Sequence, residues 1–314
     1  MVVVILLNYN KTKYTLECVD SILKSADCDF KVIVVDNNSE TDEYKLLQTI
    51  TDERVIIKKS DINRGYSGGI NYGLEFAKLL NPGYYLIMNN DTIIDKFAVK
   101  ELISTSKKYD DKCIVSGKVY NMDEPDTLQY IGQWCRNYKK FDYPPYIRDL
   151  KEKDTGQYDT EMEMEMLDDI FWLLPAAVFT QVGNYCDYFF LYGEQNDYVL
   201  RAKKLGLKMI YTPKAKIWHY QHLSVTDDDQ KSQRIAYWTY FGVLLLVYLH
   251  LSVLDFFKFY TVNFIKLVVK SIIQFGSTKQ KTVSQPMLYA YFYFTIWLFN
   301  KKPNKGFNPY SNIR

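Results

Sequence analysis

Val2-Val3-Val4-Ile5-Leu6-Leu7, closed by Asn8-Tyr9-Asn10, is a run of six apolar residues that passes directly into polar ones. Four of the six are β-branched, and a short branched run of this kind predicts a strand buried on both faces. It carries no basic leader and no small-residue cleavage site, so it reads as a strand and not as a signal peptide. Three more runs follow it: Lys31 to Val35, Val55 to Lys58 and Tyr84 to Met88. Between them, Thr12 to Lys24 places Leu16, Val19, Ile22 and Leu23 at helical spacing, and Ile70 to Leu80 does the same with Leu74, Ala77 and Leu80. Strands alternating with helices predict βαβ units, hence an α/β fold with a mostly parallel central sheet flanked by helices. Ligands of open α/β sheets bind outside the carboxyl ends of the strands, so Asn8, Asp36 and Asn89 to Asp91 are expected at one crevice.

With 314 residues the chain can hold one large domain and an appendage. Its 39 basic and 37 acidic residues leave a formal charge of +2, which lacks the concentrated positive face of a nucleic-acid binder. Cys18, Cys28, Cys113, Cys135 and Cys186 are odd in number and show no C-x-x-C spacing. Neither a structural zinc nor a disulfide framework is expected, and a reducing cytosol fits. Residues 120 to 165, with Tyr143-Pro144-Pro145-Tyr146 and the acidic tract Glu161 to Glu165, read as excursion loops and edge strands. Regular structure is expected again at Phe171 to Phe179 and Tyr188 to Tyr192. A helix from about Asp197 to Leu205, a stop at Gly206 and a strand near Lys208 to Tyr211 follow.

The last third holds much of the aromatic content, which is 16% overall and includes 28 Tyr. Ile235 to Leu254 has no Asp, Glu, Lys or Arg and is about long enough to cross a bilayer, although Tyr, Trp, Thr, Ser and His250 dilute it. On a helical wheel Asp255, Lys258, Asn263, Lys266, Lys270 and Gln274 share about half the circumference, while Phe256, Phe257, Phe264, Leu267, Val268 and Ile272 take much of the rest. That is the pattern of a basic amphipathic helix lying in the headgroup plane. The run Leu288 to Phe299 precedes Lys301, Lys302 and Lys305, which suits an anionic cytoplasmic leaflet. The competing reading makes these helices a cap on the first domain or a dimer face, which leaves a homo-oligomer open.

Four stretches carry candidate chemistry. In the first, Asn8-Tyr9-Asn10 stands with Val34-Val35-Asp36-Asn37-Asn38-Ser39. An Asp just after a buried strand offers two fixed acceptors to a pyrimidine N–H and to ribose hydroxyls, or else caps a polar turn. The second is Asn63-Arg64-Gly65-Tyr66-Ser67-Gly68-Gly69-Ile70-Asn71-Tyr72-Gly73. Its glycines let backbone N–H groups approach a ligand, and a helix starting near Gly69 would aim its positive end at a diphosphate. The third is Leu86-Ile87-Met88-Asn89-Asn90-Asp91-Thr92, with one acid at a strand end, read as a cation ligand or an Asx turn. The fourth is Asp187-Tyr188-Phe189-Phe190-Leu191-Tyr192-Gly193-Glu194-Gln195-Asn196-Asp197, continued by Arg201 and by Ile217-Trp218-His219.

In this order and spacing the four stretches, spanning about residues 1 to 225, resemble the inverting family 2 glycosyltransferases. The resemblance is closest to the branch with bacterial rhamnosyl- and galactofuranosyl-transferases. It implies the Rossmann-like GT-A fold over 1–225, with a donor-binding half at about 1–118, an acceptor and catalytic half at about 119–225, and a helical C-terminal region at 226–314. It implies donor contacts from Asn8, Asn10, Asp36, Asn38, Asn63, Arg64, Gly65, Gly68, Gly69, Asn71, Asn89, Asn90 and Arg201, with Asp36 on the base. Arg201 is open between a phosphate and Glu194. Mg²⁺ or Mn²⁺ would be held by Asp91 and His219. The general base usually stands second in the acidic pair, where this chain has Gln195, and glutamine cannot take a proton. Glu194 is preferred as the base, with Asp197 as the alternative. The partners implied are a UDP- or dTDP-sugar, a glycan or lipid-linked acceptor, and the inner face of the cell membrane, with the protein cytoplasmic and peripheral. Trp134 and Tyr138 to Arg148 are expected to shape the acceptor side. The alternative reading is a catalytically silent, membrane-associated protein that binds a sugar nucleotide or a partner.

Overall fold

The structure, a computed structural model, describes residues 1–26, 28–133, 150–220 and 229–310. Trp134, Cys135, the Tyr138 to Arg148 stretch and the boundary at residue 225 lie outside the described residues. Two compact units divide the chain. The first takes in Met1–Asn63, Gly69–Tyr185 and the stretch from Tyr198 to the end of the last strand. The second takes in Arg64–Gly68, Cys186–Asp197 and the C-terminal helices. The acidic turn expected in the catalytic half therefore groups with the C-terminal helices.

The first unit is built on β1 (Val2–Asn8), β2 (Phe30–Asp36), β3 (Val55–Lys59) and β4 (Tyr84–Met88), with α1 (Thr12–Leu23), α2 (Thr41–Leu47) and α3 (Gly65–Leu79) between them. Short β5 (Thr92–Ile94) and α4 (Ala98–Lys108) follow. Next come β6 (Cys113–Asn121), β7 (Thr127–Tyr130), β8 (Glu152–Lys153), β9 (Met162–Glu163), β10 (Phe171–Pro175), α5 (Ala176–Val182), α6 (Glu194–Lys204), whose residues up to Asp197 belong to the second unit, and β11 (Lys208–His219). The main path of the sheet is β3-β2-β1-β4-β10-β6-β11-β5, with β7, β8 and β9 attached beside it. β1 is parallel to both β2 and β4. β10 is antiparallel to its neighbours β4 and β6, and β6 and β11 are parallel. This is the expected α/β architecture, with the apolar faces of β1, β2, β4 and β10 at its centre.

Three elements differ from the sequence reading. The regular structure expected from Phe171 to Phe179 divides into a strand that stops at Pro175 and the start of α5, because proline has no N–H for the ladder. β11 runs on past Tyr211 to His219; its continuation is masked in the sequence by Pro213 and two lysines, and its register with β6 shifts between Thr212 and Lys216. Tyr188 to Tyr192 is not a strand but a bent segment ending in two left-handed residues, Tyr192 (φ 66°) and Gly193 (φ 98°). Lysines meet the acidic tract: Glu161 pairs with Lys108 at 3.1 Å, Glu163 with Lys208 at 3.0 Å, and Glu165 with Lys203.

The second unit contains α7 (Asp229–His250), α8 (Val253–Ile273), a π-helical turn at Gln280–Ser284 and α9 (Gln285–Asn300). The uncharged run Ile235 to Leu254 is broken at Ser252, whose hydroxyl caps α8 by accepting the Asp255 N–H. Among the described residues no helix is long and apolar enough to cross a membrane. The aromatic surplus forms the core of this unit: Phe294 packs against Phe241, Phe256 and Trp297, and Tyr291 against Tyr240 and Tyr260. α8 uses its apolar residues on two sides. Phe256, Phe259 and Leu267 face inward, while Leu254, Ile265 and Ile272 are exposed.

At the β6–β11 shift a Cβ on Gly117 would lie 2.1 Å from the Ala215 carbonyl oxygen. Gly117→Ala is therefore expected to destabilise the first unit by about 1–3 kcal/mol or more through overpacking, read as a lower urea midpoint at unchanged slope.

Candidate functional site

The carboxyl ends of β1, β2 and β4 are joined by one chain of side-chain hydrogen bonds. Asn90 Nδ2 donates to Thr15 Oγ1 at 2.7 Å, and Thr15 donates to Asn8 Oδ1 at 2.8 Å. Asn8 Nδ2 lies 3.2–3.3 Å from Thr12 Oγ1, Asp36 Oδ1 and Ser39 Oγ. The structure thus brings Asn8, Asp36, Asn89 and Asn90 to one edge of the sheet, as the strand order predicts. The Asp36 side chain is fully buried, and its second oxygen accepts the Ser39 N–H at 3.3 Å. These bonds shape the loop that follows β2. Asn10 (φ 51°) and Asn38 (φ 66°) flank that loop in the left-handed region asparagine tolerates, and Asn10 Oδ1 accepts the Glu40 N–H. Asn37 donates to Asn63 Oδ1 at 3.0 Å, tying the β2 turn to the start of the glycine-rich stretch.

Asp91 and His219 form the second feature. Antiparallel pairing of β11 with β5 sets Thr92 opposite His219, and the Tyr220 N–H closes the pair on the Asp91 carbonyl. His219 Nε2 lies 3.2 Å from Asp91 Oδ1, and both side chains are partly exposed. Nδ1 faces Gln129 Oε1 at 2.9 Å. If Gln129 takes the Nδ1 proton, Nε2 and the carboxylate are two acceptors facing each other, and a proton or a cation must stand between them. Carboxylate, imidazole and an outer amide that fixes the ring are a donor set suited to a divalent ion that also takes phosphate oxygens and water. Among the described residues no group of three or more His, Cys, Asp or Glu that could hold a metal ion comes together. Burial pushes the nearby Cys18 thiol up to about 12, which keeps it neutral and unreactive.

The glycine-rich stretch behaves differently from its expectation. α3 starts at Gly65 (φ 68°), four residues before Gly69. A Cβ on Gly69 would meet Leu7 at 2.4 Å and one on Gly73 would meet Ile5 and Val35, so these glycines seat the helix on the sheet. Gly65 abuts the Phe190 carbonyl, Gly68 abuts Arg64, and the Tyr66 N–H donates to Phe190 O at 2.7 Å. Asn71 is engaged in a reciprocal pair with the Tyr185 backbone at 2.9 Å each way. Arg201 donates to the carbonyls of Val182 (2.6 Å) and Asn184 (3.0 Å) and stacks over Tyr198.

In the second unit the left-handed Tyr192-Gly193 turn starts α6, so Glu194 is the first residue of the helix and Asp197 lies in its first turn. Both carboxylates sit where the helix dipole favours negative charge. Glu194, Gln195 and Asp197 are all buried, and Gln195 Oε1 has no hydrogen-bond partner among the described residues. Asp197 Oδ1 accepts from His250 Nε2 at 2.8 Å. Sequence reasoning missed three groups: His250, hidden as a polar interruption in an apolar run; Gln129, which no motif marks; and Asp168-Asp169, a buried acidic pair just before β10. Asp169 takes the Tyr185 hydroxyl at 2.9 Å, and the signal for the pair was two acids abutting the apolar run Ile170 to Leu174.

Comparisons with known proteins agree with this architecture. The GlyG glycosyltransferase of Streptococcus pneumoniae serotype 4 is 28% identical over 125 residues, 39% of this chain and 40% of that protein. The low-salt glycan biosynthesis hexosyltransferase Agl10 of Haloferax volcanii is 24% identical over 180 residues, 56% of this chain and 54% of that protein. The chain thus spans about half the length of the curated relatives it matches. Two solved structures share the fold. GalNAc-T7 with UDP, GalNAc and Mn²⁺ has a TM-score of 0.53 at 12% identity, covering 78% of this chain and 50% of that one. S. aureus TarS 1-349 has a TM-score of 0.51 at 13% identity, covering 77% of this chain and 65% of that one. The family model "Glycosyl transferase family 2" matches residues 3–164, about half of the sequence. With a GT-A sheet beneath it, this chain belongs to glycosyl transferase family 2.

Proposed function

We propose that the protein is an inverting glycosyltransferase that moves a sugar from a UDP- or dTDP-sugar to a hydroxyl of a glycan or lipid-linked glycan. The observation that carries this reading is the Asp91–His219 pair beside the bonded ends of β1, β2 and β4. The two relatives named for glycosyl or hexosyl transfer support the reaction class, and the neighbour solved with UDP and Mn²⁺ supports a nucleotide donor and a cation. In this reading Asp91 and His219 hold Mg²⁺ or Mn²⁺, with Gln129 fixing the imidazole. The bound ion supplies Lewis-acid neutralisation of the departing diphosphate. Asn10, Asn38 and Asn63 receive the nucleoside on a loop held in shape by Asp36. Glu194 accepts the proton of the acceptor hydroxyl as its oxygen attacks the anomeric carbon from the face opposite the diphosphate. The buried Gln195 carbonyl can take a hydrogen bond from a donor but not a proton.

General-base help is worth roughly 10²–10⁴-fold. Glu194→Gln should therefore lose transfer by about that factor while nucleotide affinity, followed by calorimetry, persists. Near-normal turnover would move the base elsewhere. Asp91→Ala should remove the cation-dependent part of nucleoside diphosphate binding, and His219→Ala should weaken it. Cation dependence unchanged in both variants would refute the assignment. A chain that binds donor but releases no nucleoside diphosphate with membrane extract would favour the silent binder.

The same reading places the protein at the cytoplasmic surface of a membrane. Leu254, Ile265 and Ile272 fall within about 20° of one another on a helical wheel and are exposed; of the exposed lysines of α8, Lys258 lies about 40° from Leu254, while Lys266 and Lys270 lie further round the helix. An aliphatic stripe on a helix that also exposes lysines fits an anionic lipid surface, with about 1.5–3 kcal/mol for each large side chain fully buried and about 1 kcal/mol for each lysine near the surface. Ile265→Asp with Ile272→Asp should abolish co-sedimentation with phosphatidylserine vesicles. Wild type that ignores such vesicles would end this part of the proposal.

A further inference from the structure

The second unit holds the turn before α6 from several directions. Phe190 stacks on Trp238 at 5.1 Å, Tyr188 meets Trp297 edge-on, and the Asn304 N–H donates to Asp187 O at 2.9 Å. Gly242 of α7 comes so close that a Cβ there would lie 2.3 Å from the Tyr192 carbonyl oxygen. These contacts fix the backbone of the turn. His250, the last residue of α7, reaches a side chain of α6 itself: its Nε2 stands 2.8 Å from Asp197 Oδ1, with the two side chains 8% and 3% exposed. A carboxylate this deeply buried requires a donor, because burial without one is costly.

We infer that His250 is a positioning residue for the acidic turn. Its Nε2–H donates to Asp197 and holds that carboxylate on the C-terminal helices. Asp197 then orients the first turn of α6, and the proton-accepting role falls to Glu194, three residues earlier in that turn. The C-terminal helices thereby supply a side chain on which turnover depends, in addition to any surface they offer to lipid. This inference rests on the transferase reading.

The experiment uses the full chain and two substitutions at one position. Glutamine can place an amide N–H where Nε2 stands, whereas phenylalanine keeps the ring and removes the donor. His250→Phe is expected to lower kcat by about 10- to 100-fold, the usual cost of losing an outer partner, with donor KM unchanged. His250→Gln should recover most of that loss. A His250→Phe enzyme with wild-type kcat, or a His250→Gln enzyme no better than His250→Phe, overturns the role. A contact readout independent of turnover comes from ¹⁵N-histidine spectra, which are simple because the chain has three histidines. Asp197→Asn should move the His250 ring resonances, and resonances that stay in place would overturn the contact. A wild-type chain that transfers nothing refutes the transferase reading, and the role with it, while the spectra still report whether the contact exists.

Discussion

The first unit depends on the hydrogen-bond chain that runs from Asn90 through Thr15 and Asn8 to Asp36. Parallel strands leave their last peptide groups facing the same edge, where polar side chains collect without partners from the ladder. Buried amides, hydroxyls and carboxylates are costly there unless they satisfy each other. The α1 hydroxyls of Thr12 and Thr15 do this for three strands at once. The result is a rigid polar rim that sets the geometry of Asp91 on one side and the β2 loop on the other. The Asp91–His219 pair inherits its placement from backbone pairing of β5 with β11, which is more constraining than a surface loop would be.

In the second unit the constraint is steric. Tyr192 and Gly193 occupy left-handed backbone conformations in succession, which is unfavourable for tyrosine by sterics alone. Such a turn persists only where its surroundings over-determine it. Gly242, Trp238 and Trp297 provide those surroundings, so the strained turn and the aromatic helices form a single cooperative structure. This explains why the acidic segment groups with residues that follow it by more than thirty positions and not with the sheet that precedes it.

The α/β architecture was legible because its signals are local. Four apolar runs and two helical patterns were enough to place β1 to β4, α1 and α3 to within a few residues. The Asp91–His219 pair was legible through motif resemblance, although nothing in the sequence reports their 3.2 Å separation. What escaped was non-local. The uses of Gly69 and Gly73 against the sheet, the bonds of Arg201 to two carbonyls and the burial of Asp36 are all decided by which residues pack on them. Glycine in a motif indicates that a Cβ is unwelcome but not whether a ligand or a leucine is the reason. Helix periodicity likewise could not separate the two sides of α8, because both carry apolar residues.

That double-sided character follows from two demands on the same helix. An inward aromatic face must fill the core that supports the acidic turn, and it does so with Phe256, Phe259 and Leu267. An outward face that only met water would be free to be polar, as surface helices of globular domains usually are. Instead it carries Leu254, Ile265, Val269 and Ile272, a contiguous apolar stripe of the kind that marks an interaction surface. Packing in the core therefore explains Phe256, Phe259 and Leu267 but not the apolar residues that α8 exposes. The inner set is accounted for by packing within the second unit, whereas the outer set meets nothing in that packing.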